Sequence, residues 1–381
     1  MKIVLFCHSL LSDWNHGNAH FLRGVVVELQ ARGHVVRVFE PVDAWSVQNL
    51  LADVGRIPTE ELDTHYPSLD ITRYDASSLD LDSATHDADL VLVHEWSTPE
   101  LVAGLGARRA GGARHRLLFH DTHHRIVSEP HAIQRLDLSG YDGILAFGEA
   151  VRERYVTLGW ANRVWTWHEA ADTRVFKPVA PRAPQDDLVW IGNWGDDERT
   201  RELSEFLLGP TRQLALQGSV YGVRYPTEAI EAVGAAGLVY RGWLPNYRVP
   251  EVFAQHRVTV HVPRRPYAEA LPGVPTIRVF EALACGIPLI SAPWSDAEGL
   301  FAEGDFVRAR DGAEMGRALA RLRADPAERA ELSARGLRTI LARHTCAHRV
   351  TELLGIAAAL GTSPRAGASQ VAKPAEITAW D

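Results

Sequence analysis

The sequence has little cysteine and no long apolar run. Three cysteines, Cys7, Cys285 and Cys346, stand in 381 residues, and no two have C-x-x-C spacing. An odd count without such pairs argues against a disulfide framework or a structural zinc site and points to a reducing cytoplasm. Cys7 ends an apolar run and Cys285 lies in an apolar helix, so both read as small core residues. No apolar stretch approaches the roughly 20 residues that span a bilayer. The apolar start, Lys2 to Cys7, is too short for a signal peptide and leads straight into a patterned domain. Positive charge is not in excess: 40 Lys and Arg against 48 Asp and Glu give a net charge of −8, so a general nucleic-acid binder is not expected. The local basic cluster Arg108, Arg109, Arg114, His115 and Arg116 reads as a solvated loop. G-x-G-x-x-G is missing after the first strand, which argues against a dinucleotide cofactor. The histidines and aspartate after the Leu117–Phe119 strand lack the fixed spacing of a ligand set, so no metal and no other cofactor is expected.

What is present suits a large α/β protein. Hydrophobic residues make up 46% of the chain and charged residues 23%, enough for a sizeable core, and the length suits two domains. Lys2 to Cys7 reads as a doubly covered parallel strand. Leu22, Val25, Val26 and Leu29 then repeat at helical spacing up to Gly33, and Val35 to Phe39 is the next strand. This is a Rossmann-like opening. Trp45 to Val54 reads as a helix, and Arg56 to Ser83 as a polar surface excursion. Leu90–Val93, Leu117–Phe119, Tyr141–Phe147 and Val164–Trp167 are further strands, with a helix to Leu158. Pro178, Pro181 and Pro184 mark a linker. The second half repeats the pattern from Leu188–Ile191. A glycine loop follows, with Asp196 and Asp197 expected to cap the next helix. Gly218–Arg224 reads as a second loop and Leu238–Tyr240 as a strand. Three helical patterns close the chain, the second opened by Asp325 as N-cap with Pro326 at the first helical position. The Gly-, Ser-, Pro- and Ala-rich end is expected to be poorly ordered.

The strand ends carry the chemistry. The loop after the first strand holds Asp13, Asn15, His16 and Asn18 beside Trp14, and polar loops on rigid scaffolds commonly carry function. His94 and Glu95 close one strand; His120, Asp121 and His123 close another. The organising stretch is Pro263 to Trp294. A buried strand ends at Val262, and a loop carries Arg264 and Arg265. A helix opens near Pro275, bears Arg278 and Glu281, ends at Cys285–Gly286, and feeds the strand Leu289–Ser291. Helix N-termini at such strand ends favour anions, and the charged set suits a diphosphate flanked by a sugar or ribose.

Thr276 to Ser291, TIRVFEALACGIPLIS, resembles the donor-binding segment of GT-B glycosyltransferases, most closely the spore-maturation CgeB-type, with its Arg-x-Phe-Glu-Ala-x-Ala-x-Gly pattern. Trp167 to Pro178, WHEAADTRVFKP, resembles the crossing between GT-B halves, and RHTCAHRV resembles the family's ending. The resemblance covers nearly the whole chain. It implies two Rossmann-like domains facing across a cleft. Residues 1–172 would form the acceptor half, 173–187 a linker and 188–345 the donor half. A C-terminal helix over 346–360 would return to the N-terminal domain, with a disordered tail over 361–381. It implies sugar transfer from a nucleotide-diphosphate sugar, a UDP-sugar foremost, without a metal. Gly192, Asn193, Arg199, Arg264, Arg265, Arg278 and Glu281 would bind the donor. Arg241, Gly242 and Trp243 would meet the base, which Trp243 could stack on. Asp13, Asn15, His16, Asn18, His94, Glu95 and His123 would face the acceptor. His120, Asp121, His16 and Glu281 would serve catalysis. Many retaining relatives carry two glutamates separated by seven residues; here Glu281 is the second and Gly273 stands for the first. A nucleotide-sugar epimerase or hydrolase, or a binding protein that keeps only the donor pocket, are the alternatives.

Overall fold

The computed structural model of the protein describes residues 1–161, 163–179 and 186–362. Pro181 and Pro184 of the expected linker, and the expected tail beyond residue 362, lie outside these residues. The chain divides into two compact units. Among the described residues, unit 1 comprises those within 1–12, 22–169 and 347–362, and unit 2 those within 13–21 and 170–346.

Unit 1 is built on a parallel sheet of β1 (Lys2–Phe6), β2 (Val35–Pro41), β3 (Ile71–Tyr74), β4 (Leu90–His94), β5 (Arg116–Asp121), β6 (Gly143–Ala146) and β7 (Val164–Thr166). The strand order is β3-β2-β1-β4-β5-β6-β7. β1 and β4 are buried almost throughout, because both faces of the sheet are covered. Unit 2 repeats the plan with β8 (Asp186–Ile191), β9 (Gly218–Tyr221), β10 (Leu238–Tyr240), β11 (His256–His261), β12 (Leu289–Ser291) and β13 (Val307–Arg308), in the order β10-β9-β8-β11-β12-β13. Both sheets therefore reverse direction beside their first strand, between β1 and β4 and between β8 and β11. In open parallel sheets ligands settle at the carboxyl ends of the two strands that flank such a reversal. That rule locates a candidate site in each unit.

The helix Ala19–Ala31 carries the apolar repeat read from the sequence, with Leu22, Val25, Val26 and Leu29 buried. The last helix, Cys346–Thr362, packs against it: Arg32, just past its end, donates to the Ala347 carbonyl at 2.7 Å and to the Thr351 hydroxyl at 2.9 Å. The helix Pro326–Arg343 opens as expected, with the Asp325 carboxylate accepting from the Ala327 and Glu328 amides.

Two segments differ from expectation. Residues 56–83 contain the helix Thr59–His65 and the edge strand β3. Only Tyr74 of β3 is buried, so an edge strand this short leaves no alternating signal. Gly218–Tyr221 is strand β9 rather than a loop. Gly218 lies so close to β8 that a Cβ there would stand 2.0 Å from the Leu188 carbonyl oxygen. The glycine marks close backbone approach inside a sheet, not a turn. The basic cluster is likewise not a solvated loop. Arg108 and Arg109 end the helix Pro99–Ala110, where Arg109 grips Asp142 through two 2.8 Å bonds, and His115 is buried.

Candidate active site

In unit 2 the crevice lies where β8 and β11 end. Asn193 follows β8, and its side-chain oxygen accepts from Arg199 at 2.6 Å and from Arg264 at 3.1 Å. Arg199 also donates to the backbone carbonyls of Asn193 at 2.5 Å and Val262 at 3.1 Å, tying the two strand ends together. Its guanidinium lies over the Trp190 ring, 5.1 Å from the centroid. Burial, reinforced by the neighbouring Arg264, brings the Arg199 pKa down to about 10, so it stays a cation at neutral pH. Arg264 pairs with Glu198 at 2.6 Å, and Arg265 with Glu202 at 3.0 Å. The Gly192 carbonyl accepts from the Tyr225 hydroxyl at 2.8 Å.

The helix Ile277–Cys285 begins at this crevice and is closed by Gly286 in the left-handed conformation. His261, the last residue of β11, fixes its start. Ser291 donates its hydroxyl to the Ala292 carbonyl at 2.8 Å, so its oxygen must accept from His261 Nδ1 at the same distance. Burial drives the His261 pKa down to about 3, so the ring is neutral. Nε2 is then the acceptor, and it takes the Thr276 hydroxyl proton at 2.9 Å. One imidazole thus joins β11, β12 and the helix N-terminus.

Glu281, one turn into this helix, is completely buried. It pairs with Arg278 on the same helix, and a ring nitrogen of His20 lies 2.7 Å from its other oxygen. His20 is itself fully buried and packs on Phe176, with ring centroids 4.2 Å apart. The sequence reading gives Glu281 to the donor's hydroxyls. In this structure the carboxylate is instead turned inward and compensates Arg278, because a buried carboxylate needs a cation more than it needs a hydroxyl.

Residues 13–21 belong to this same unit, not to the N-terminal one. Asp13 accepts from the Trp243 indole N–H at 3.2 Å and from the Asn246 amide at 3.1 Å, and Asn246 donates to the Gly17 carbonyl at 3.3 Å. Asn15, in the left-handed region at φ 50°, accepts from the Asn193 side-chain amide. His16 is buried here and Asn18 is half-buried. Asp13 therefore anchors its own segment, and Trp243 spends its polar edge on Asp13. Arg241 is exposed, and the Gly242 carbonyl accepts from the Gly222 amide at 2.8 Å.

One further expectation is corrected. Asp196 and Asp197 cap no helix; Asp196, at φ 48°, pairs with Arg224 at 2.9 Å. Gly273 has φ 88°, and a Cβ there would meet the Glu298 side chain at 2.5 Å. A left-handed backbone and an occupied space both favour glycine at that position.

In unit 1 the equivalent crevice holds a buried polar cluster. Glu95 accepts from the Thr122 amide and hydroxyl at 3.1 and 3.2 Å, and His94 meets the same hydroxyl at 2.9 Å. Asp121 accepts from the Tyr155 hydroxyl at 2.7 Å and the His123 amide at 3.1 Å. The His120 ring packs edge-on against His94 and Trp167. Burial holds His120 neutral, its pKa lowered to about 3. Burial also lifts the Asp121 pKa to about 6 and, with the charge of Asp121 beside it, pushes Glu95 well above the carboxylate range. Raised carboxyl pKa values mean that the folded state holds protons more tightly than the unfolded one. Stability from Asp121 is therefore present at low pH and is lost as pH rises from about 4 to about 6. Urea unfolding at pH 5 and pH 8 should show that decline, and Asp121→Asn should reduce it. An equal decline in the variant would remove Asp121 as its source.

No curated protein matches the chain by sequence. Among solved structures, a sucrose-phosphate synthase from Thermosynechococcus elongatus superposes with a TM-score of 0.66 at 15% identity, over 95% of this chain and 99% of that one. Anabaena Alr3699/HepE, solved with UDP and glucose, gives 0.65 at 14% identity over 94% and 100%. The T4 phage BGT, solved with UDP and Mn2+, gives 0.60 at 12% over 95% and 100%. Residues 199–355 match the family model described as glycosyl transferase-like. The match begins at Arg199 and takes in Arg264, Arg278 and Glu281. The chain has the GT-B fold of these structures, and its residues 199–355 resemble the glycosyl transferase-like family.

The protein thus groups Asn193, Arg199, Arg264, Arg278 and Glu281 in unit 2, and His94, Glu95, His120, Asp121 and His123 in unit 1. Sequence reasoning missed His20, His261 and Thr276. His261 carried a usable signal, an ionisable side chain closing a buried strand, the same signal that singled out His94 and His120. His20 carried none, since it stands inside an apolar helical repeat and its partner lies 261 positions away in the chain.

Proposed function

We propose that this protein is a glycosyltransferase that takes its sugar from a nucleoside-diphosphate donor, UDP-linked, and needs no divalent cation. The observation that carries this reading is the convergence of Arg199 and Arg264 on Asn193 at the β8/β11 reversal, beside the helix that bears Arg278. Cleaving a glycosyl–phosphate bond builds negative charge on the leaving diphosphate. Fixed guanidinium groups and a helix N-terminus oppose that charge without reorganising. Structural neighbours solved with UDP support the choice of uridine. The carboxylates around the loop are already spent on arginines: Asp196 on Arg224, Glu198 on Arg264 and Glu202 on Arg265. The CgeB-type assignment is part of this proposal and rests on the Arg278 to Gly286 pattern.

Glu281 and His20 serve the donor site by fixing Arg278, and His261 serves it by fixing the helix start through Thr276. In unit 1, Asp121 and His120 are the candidates to receive the acceptor's proton. Asp121, with its pKa near 6, is ionised at neutral pH yet close enough to neutrality to exchange a proton. The test is release of UDP from UDP-glucose and related UDP-sugars, with and without a chelator. Release unchanged by chelation is expected; release that requires added Mn2+ or Mg2+ would overturn the metal-independent part of the reading. Release only from a guanosine, thymidine or cytidine donor would overturn the uridine part.

A further inference from the structure

A row of aromatic rings crosses the carboxyl edge of the unit 1 sheet, and the donor reading makes no use of it. His8 stands two residues beyond the end of β1, Trp96 two beyond β4, and His123 two beyond β5; Trp45 opens the helix after β2. These four strands are consecutive neighbours in the sheet, in the order β2-β1-β4-β5. The rings form a connected row in which Trp45 reaches past His8 to Trp96. His8 stacks on Trp45 at 4.5 Å, Trp45 meets Trp96 edge-on at 6.0 Å, and Trp96 meets His123 edge-on at 5.3 Å. Arg125 lies over Trp96, 4.5 Å from the ring centroid. The row spans the β1/β4 reversal, the position where a parallel sheet offers a ligand crevice.

Trp45, Trp96 and His123 are half-buried, whereas large rings that serve only the core are closed off, as Phe6 and Phe119 are. Beside the row lies a buried acid with an unmet need. Glu95, 1% exposed, immediately precedes Trp96; its Oε2 accepts no hydrogen bond among the described residues, and the nearest cation, Arg125, stands 3.7 Å away. A lipid chain would use the rings and leave this carboxyl unsatisfied. A small ion would use the carboxyl and ignore the rings. A pyranose uses both, because its C–H faces are apolar and its rim is hydroxyl, and binding crevices of that kind combine apolar walls with a few placed polar groups. We propose that the Trp45–Trp96–His123 row is a sugar-stacking platform and that the acceptor is a carbohydrate.

This proposal rests on the transferase reading, and its test separates the two. Saturation-transfer NMR is run on the whole protein with the methyl glycosides of glucose, galactose, mannose and N-acetylglucosamine and with their disaccharides, while UDP binding is followed by thermal shift in the same samples. At least one saccharide should show contact, Trp96→Ala and Trp45→Ala should each weaken it about tenfold, and Trp96→Phe should retain most of it. UDP should bind all variants alike. Saccharide contact that is indifferent to both alanine variants would overturn the platform, as would absence of contact across the panel. Loss of UDP binding in the unsubstituted protein would instead strike at the donor reading.

Discussion

Replacing Glu281 by alanine should lower stability by about 3–5 kcal/mol, the usual cost of stripping one partner from a buried ion pair. The carboxylate is completely buried and faces both Arg278 and a ring nitrogen of His20. Without it, the Arg278 guanidinium, whose side chain is 14% exposed, remains as a charge without its anion. Chemical denaturation should show a lower midpoint with an unchanged slope. Glu281→Gln should be milder, because it keeps an acceptor oxygen while giving up the charge. A Glu281→Ala protein as stable as its parent would refute the inward role assigned to this residue. If that protein were stable but inactive, a direct role toward the donor would return.

That buried triad also shows where sequence reading stops. The helix Ile277–Cys285 was legible in detail: Arg278 and Glu281 fall where expected, and Gly286 closes it. The strand–helix alternation and the two parallel sheets were legible too, since they rest on periodicity and punctuation within a few residues; the last helix against the first came only from the family resemblance. Partners far apart in the chain were not. Nothing near His20 points to Glu281, nothing near Asp13 points to Trp243, and nothing near Gly273 points to Glu298. The grouping of residues 13–21 with unit 2 follows from such pairings, which nothing within the loop itself announces. Side-chain direction was equally hidden. Glu281 sits at the expected site, yet its carboxylate turns to the interior.

Arg264→Ala should lower kcat by on the order of 100-fold, the usual loss when one fixed donor to a developing charge is removed. Arg264 suits the test better than Arg278 or Arg199. Its partner Glu198 is 33% exposed, so water can solvate the carboxylate once the arginine is gone. Arg278 holds a buried carboxylate and Arg199 joins two strand ends, so their removal would confuse folding with catalysis. The melting temperature of Arg264→Ala should stay close to that of the parent. If the guanidinium acts on charge that appears only as the bond breaks, kcat and kcat/KM should fall together; a rise in KM alone would mean that it merely holds the donor. Wild-type turnover would take Arg264 out of the mechanism.

The central claim is that unit 2 holds a nucleoside diphosphate at the β8/β11 reversal. A thermal-shift comparison of UDP, GDP, dTDP and CDP tests it most directly. A ligand at about 100 times its dissociation constant stabilises by about 2.7 kcal/mol. The account predicts a clear shift with UDP, a smaller one or none with the other three, and its loss in Arg264→Ala. No shift with any of the four, or a UDP shift that survives in Arg264→Ala, would contradict the account.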